Sequence, residues 1–205
     1  MHVLINELVS LDRRAVEATL RVFERVGPRD RCNPTPCAGW TVTDLLSHMT
    51  GQQRGFAAAA RGGGDDLTVW QPVNGDYAEA CADVIEAFAQ PGIDEREFAL
   101  PEIRSGGKFS ARQAIGFHLV DNVVHAWDLA TALGLLGMPV ELDEDVLAAA
   151  LAVAEKVPNG AERLRPGSAF APARAVPAGA TALDRIVLLL GRQPVLPPKA
   201  QAAVQ

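Results

Sequence analysis

Four histidines stand in the chain, and apart from His2 they fall on two segments with helical patterning, His48 on one and His118 and His125 on the other. Asp121 precedes His125 by four residues. On a helix that spacing leaves two side chains about 40° apart around the axis and one turn apart along it, so a carboxylate and an imidazole can point at one ion. His48 lies beside Leu45 and Met49, next to the face of its segment that should pack inward. If the two segments face each other, His48, Asp121 and His125 form a two-histidine, one-carboxylate set of the kind built in the cores of helical bundles. Such donors suit zinc, iron, nickel or manganese. Zinc is the default for histidine-rich sites, and three protein ligands leave a position open for water or substrate.

The same residues have plainer uses. An Asp/His pair at this spacing also forms an ordinary ion pair on a solvated face, and a histidine beside an apolar stripe also serves as a hydrogen-bonded core residue. His118, one turn before Asp121 and near the angular position of His125, is an alternative donor. Asp128, one turn after His125, is either a partner that orients a ligand histidine or a surface carboxylate. Cys37 would act as a nucleophile only with a cation beside it, and the sequence shows none. The spacing of Cys32 and Cys37 is a weak zinc signal, and small buried thiols are the plainer reading of both. Trp40 and Trp127 suit a core or an interface better than a substrate platform. Arg54 and Arg61, on the segment of His48, are either solvated or placed to meet an anionic substrate.

These residues need helices to position them. Leu4, Leu8, Leu11, Ala15, Ala18, Val22 and Val26 recur at steps of three and four, which predicts a first helix over residues 4–26. Three prolines in residues 28–40 force a connector. Thr41 with Asp44 reads as a capping-box start for a second helix reaching about Ala60, closed by the glycines at 62–64. Residues 76–90 predict a third helix, stopped by Pro91 and Gly92. Residues 93–109 stay open, FALPEI suiting a short extended piece and SGGK a turn. Ser110 caps the longest helical pattern, which closes on Gly134. A fifth helix over 143–157 follows, then a surface excursion rich in Pro, Ala, Gly and Arg. A last short helix in TALDRIVLLLGR must still bury Ile186, Leu188, Leu189 and Leu190, and the tail from Pro194 is expected to fray.

The fold class is therefore all-α. Apolar residues make up 48% and aromatics only 5%, so Ala, Leu and Val must fill the interior, which favours close-packed helices over strands. At 205 residues one domain suffices, with its core over about 4–157 and a C-terminal extension over 158–205. A net charge of −6 without a concentrated Lys/Arg face argues against a nucleic-acid partner. With no signal-peptide pattern, no bilayer-length apolar run and three unevenly spaced cysteines, a cytoplasmic protein independent of membranes is expected. A homodimer is compatible with this reading.

The segments TPCAGWTVTDLLSHM (35–49) and DNVVHAWDLATALG (121–134), together with the closing LLLGRQP (188–194), resemble the DinB-like metal-binding proteins. The resemblance is specifically to the actinobacterial branch related to mycothiol-dependent maleylpyruvate isomerase. It implies a DinB-like four-helix bundle in up-down-down-up order, here with additional C-terminal helices. It also implies one divalent metal, zinc or nickel, on a histidine of the second helix and an acidic-x-x-x-His pair of a later one. Carried over by motif, these are His48 and the pair Asp121 and His125. The family pattern more often has Glu at the acidic place, so Asp121 is a departure and His118 the possible substitute. Characterised members imply a thiol-dependent transferase or isomerase, in which the metal readies the thiolate of mycothiol for attack on a small electrophile. The excess of Arg over Lys, with abundant Ala and Gly, suits such a source. Arg54 is the candidate for binding carboxylates of thiol or substrate. The alternative is a non-catalytic metal-binding or regulatory module of the same fold.

Overall fold

Both helices that carry candidate ligands start at caps written into the sequence. A computed structural model of the chain describes residues 4–104, 106–135, 141–165 and 168–194. Within it α1 spans Ile5–Phe23, α2 Val42–Ala60, α3 Tyr77–Phe88, α4 Ala111–Ala132, α5 Glu144–Ala154 and α6 Ala182–Leu189. At the start of α2, the Thr41 side chain accepts from the Asp44 N–H. The Asp44 carboxylate in turn accepts from the Thr41 N–H at 2.9 Å, closing the capping box. Ser110 and Gln113 do the same for α4, and Thr181 and Asp184 for α6. Each such cap stabilises its helix by about 1 kcal/mol. Asp143 stands at the N-cap of α5 without capping it, because its carboxylate is taken by Arg14 of α1.

The expected helices are present, their ends trimmed by a turn or less. The first stops at Phe23 rather than residue 26, and the fifth at Ala154 rather than 157. The open stretch over 93–109 resolves into a small antiparallel hairpin of β1 (Glu97–Ala99) and β2 (Lys108–Ser110), with Phe98 opposite Phe109. Phe98 is fully buried, so the hairpin closes one end of the core. The excursion after α5 is tied down by Arg163, whose guanidinium donates to Pro158 O at 2.7 Å and Leu189 O at 2.7 Å. The fraying expected of the tail falls, beyond residue 194, outside the described residues.

The arrangement is an all-α, DinB-like bundle. α1 packs mainly on α4 and α2 mainly on α3, with α1–α3 and α2–α4 contacts closing the four-helix core. α5 lies against α4 and α1, and α6 against α5. Ile186 and Leu190 enter the main apolar cluster beside Val146 and Ala150, so the last helix finds the core it needs. α4 is consequently buried on nearly every side, and Ile115, Leu119, Val123 and Leu129 are fully covered. A helix in that position must satisfy its polar side chains inside the protein. His118, Asn122, His125 and Asp128 do so, and no buried side-chain N or O among the described residues lacks a partner. No described helix is long and apolar enough to cross a membrane.

The ends of α4 and α6 close as that of α2 does, where the Gly63 N–H reaches Ala58 O at 2.8 Å and the Gly62 N–H reaches Ala59 O at 3.1 Å. After α4, the Leu135 N–H reaches Ala130 O and the Gly134 N–H reaches Thr131 O, both at 3.0 Å. After α6, the Arg192 N–H reaches Val187 O at 2.9 Å and the Gly191 N–H reaches Leu188 O at 3.1 Å. These are Schellman closures, which need a left-handed residue, and Gly134 and Gly191 supply it, at φ +68° and +83°. The two differ in surroundings. A Cβ on Gly134 would meet nothing, whereas one on Gly191 would lie 2.5 Å from Ala171 O. Gly134→Ala is therefore expected to cost about 1–2 kcal/mol from backbone strain alone. Gly191→Ala should cost at least ~1 kcal/mol more, because a backbone oxygen must also move. Urea unfolding of the two variants checks this, and equal losses would contradict it.

Candidate metal centre

α2 and α4 bring His48, Asp121 and His125 together. His125 Nε2 lies 3.3 Å from Asp121 Oδ1, and the His48 and His125 rings meet edge-on with centroids 5.3 Å apart. One donor atom from each of the three lies within 4.8 Å of the others. Two donors on one tetrahedral zinc are roughly 3.3–3.5 Å apart, so the Asp121–His125 pair already has that spacing and His48 needs only a small inward movement. The residues fit a divalent cation, and Asp121 reaches the cluster despite its short side chain.

Behind His125 stands a second layer. Its Nδ1 lies 3.0 Å from Asp128 Oδ2, and Asp128 has no solvent exposure at all. Asp128 also accepts from the Arg192 guanidinium at 2.9 Å and from the Cys37 thiol at 3.3 Å. A neutral imidazole that donates Nδ1–H to a carboxylate keeps its lone pair on Nε2, the nitrogen facing Asp121. The ring is thus held with its donor atom aimed at the cluster. Asp128 is a buried partner of His125 rather than a surface carboxylate.

Cys37, His125 and Asp128 form a second group whose ligand atoms also lie within 4.8 Å of one another. A cation is better served by the first. The Arg192 guanidinium sits 3.7 Å from Cys37 Sγ and bonds Asp128, so a fixed positive charge already occupies that side.

The charges follow from these contacts. Burial drives the His48 imidazole down to about 4, against the pull of Asp121, so His48 is neutral at pH 7. Burial also disfavours a charged His125, but the carboxylates of Asp121 and Asp128 outweigh it and lift its pKa well above the ordinary histidine value. Burial would raise Asp121, yet His125 and His48 hold it at about 2. Asp128 likewise stays below the usual carboxylate range, with His125 and Arg192 overcoming its burial.

Three expectations from the sequence are corrected. His118 is not the substitute donor, because its Nδ1 is 2.8 Å from Asp12 Oδ1 and its Nε2 2.8 Å from Gln53 Oε1, both inside the core. Arg54 is exposed six residues past His48, about 120° round the helix, and lines a surface groove with Arg61 and Asp83 rather than the cluster. Trp40 is not a core filler: it is 36% exposed and packs on the His48 ring at 4.9 Å, whereas Trp127 is buried. Cys32 is exposed, Cys37 faces Asp128, and both are free thiols. Sequence reasoning missed Arg192, which supplies the cation beside Cys37 from 155 residues away. The available signal was an arginine directly after a C-capping glycine.

The profile of the mycothiol maleylpyruvate isomerase N-terminal domain family matches residues 13–130, a span that holds His48, Asp121, His125 and Asp128. The chain belongs to this family. Two Mycobacterium tuberculosis proteins are similar along nearly all of it, the uncharacterized protein Rv0738 of strain H37Rv and the uncharacterized protein MT0763 of strain CDC 1551. Each is 30% identical over 187 residues, covering 88% of this chain and 94% of the relative. No solved structure gives a significant match. Arg192, which bonds Asp128, lies beyond the matched residues.

The protonation states set the pH dependence of metal uptake. Only His125 carries a proton that a cation must displace near neutrality, since His48 and Asp121 are already deprotonated. Zinc binding at pH 7 should therefore release about one proton, and affinity should rise with pH until the raised pKa of His125 is passed. Calorimetry in buffers of different ionisation enthalpy reads the proton count. Binding without proton release would contradict the assignment.

Proposed function

We propose that His48, Asp121 and His125 hold one divalent cation, zinc by default and nickel as the alternative, and that the protein is a thiol-dependent S-transferase or isomerase. The thiol is a low-molecular-weight one such as mycothiol, and its partner is a small electrophile. The observation that carries this reading is the aim of His125: a carboxylate and a guanidinium behind Nδ1 turn Nε2 toward Asp121 and His48. When bound, such a cation lowers the pKa of a thiol and holds it as a thiolate.

The chain's own residues then have distinct tasks. Three protein donors leave a coordination position free, which a purely structural site would fill with a fourth. Asp121, whose side chain is 27% exposed, marks the side on which that position opens. Asp128 and Arg192 keep His125 from rotating, and the apolar cluster around Leu45, Met49 and Leu129 keeps water from the back of the site. The free thiols of Cys32, Cys37 and Cys81 accord with a reducing, cytoplasmic setting.

Cobalt-substituted protein tests the reading. Mycothiol should produce a sulfur-to-cobalt charge-transfer absorption that saturates near one thiol per metal and is lost in His125→Ala. An unchanged spectrum, or thiol binding that ignores the metal, would contradict a thiolate site and favour the non-catalytic module.

A further inference from the structure

Trp40 is the one exposed aromatic ring among the described residues: it is 36% open to solvent, against 3% for Trp70 and 9% for Trp127. Leaving an indole in water forgoes the burial that large aromatic side chains ordinarily provide. Its position is also held. The Trp40 N–H donates to Cys37 O, and Trp40 O accepts from both the N–H and the hydroxyl of Thr35, each at 3.0 Å. Pro34 and Thr41 pair across the base of this turn, and Gly39 at φ +82° lets it close. The backbone beneath the indole is thus held, and the ring packs 4.9 Å from the His48 ring, inclined to it by 58°.

We propose that Trp40 determines specificity at this site, its free indole face stacking on the planar, electron-poor conjugated part of the electrophile. The inference rests on the reading of a thiol bound at the metal. Two kinds of ligand suit an exposed indole, cations and flat π systems. A cationic ligand is disfavoured here, because a metal held by His48, Asp121 and His125 would set its own positive charge next to the indole that packs on His48. Electrophiles that react with thiolates by addition are electron-poor conjugated systems, the complement of the electron-rich indole. Stacked on Trp40, such a group would lie next to His48, within reach of a thiolate held by the metal.

The test uses zinc-loaded full-length protein and two thiols that mimic the adduct, 4-nitrobenzyl mercaptan with a flat electron-poor ring and cyclohexylmethyl mercaptan with a puckered one of similar size. Wild type should bind the nitrobenzyl thiol about five- to tenfold more tightly, and tryptophan fluorescence should fall on binding. Trp40→Ala should reduce that preference to about twofold or less, while Trp40→Phe keeps most of it, with zinc content measured in each variant. Equal affinities in wild type, or a preference that survives Trp40→Ala, would overturn the role of Trp40 and leave the thiol site standing. If neither thiol binds the zinc-loaded protein, the thiolate reading fails and this inference falls with it.

Discussion

An ionised carboxylate with no exposure to water, Asp128, is the point around which the site is organised. Burying such a group alone would cost several kcal/mol, and it is tolerated only where the protein replaces water with partners. Those partners come from three separate stretches: His125 on α4 itself, Cys37 in the loop before α2, and Arg192 just after α6. The requirement to satisfy one charge thus fastens the C-terminal helix and the Pro-rich connector onto the bundle. It also fixes which nitrogen of His125 is free. Stability and aim are consequences of one contact, so the residues behind the donor set matter as much as the donors.

α4 carries two histidines in different employment, and the difference lies in their neighbours. His118 is fully enclosed, with Asp12 and Gln53 on its ring nitrogens and Phe56 and Phe88 against its faces. It joins α1, α2 and α4 through a polar network that Asn122 extends, the Asn122 amide receiving Gln53 at 2.8 Å. Burial raises the Asp12 carboxyl although His118 opposes the shift. That network braces the helix on which Asp121 and His125 sit, while His125 faces a cluster with a solvent edge at Asp121 and Trp40.

Local signals carried the fold well. Caps at Thr41 and Ser110, breaks at Pro91 and Gly134, and the three-four periodicity of α1 are written in neighbouring residues, and each located its element within a turn. His48, Asp121 and His125 were equally legible as a cluster, because i, i+4 geometry and a facing apolar helix are short-range facts. His118 misled because angle alone ignores depth: seven residues before His125 it returns to nearly the same face but lies about 10 Å away along the axis. Arg54 failed on angle, and Trp40 on hydrophobicity, which does not distinguish a core ring from a site wall. Arg192 showed locally only as an arginine after a C-capping glycine, and its meeting with Asp128 depends on how α6 docks through α5, a tertiary fact that no local pattern encodes.

Metal content is the most direct measure of whether His48, Asp121 and His125 form the site. Untagged protein, checked for native helicity, is analysed by elemental analysis as wild type, His48→Ala, His125→Ala and Cys37→Ser. The proposed site predicts near-stoichiometric zinc or nickel in wild type and in Cys37→Ser, with loss in both histidine variants. Wild type that refuses added zinc and nickel would contradict the account. So would an ion that survives His48→Ala but is lost in Cys37→Ser, which would move the metal to the other side of His125.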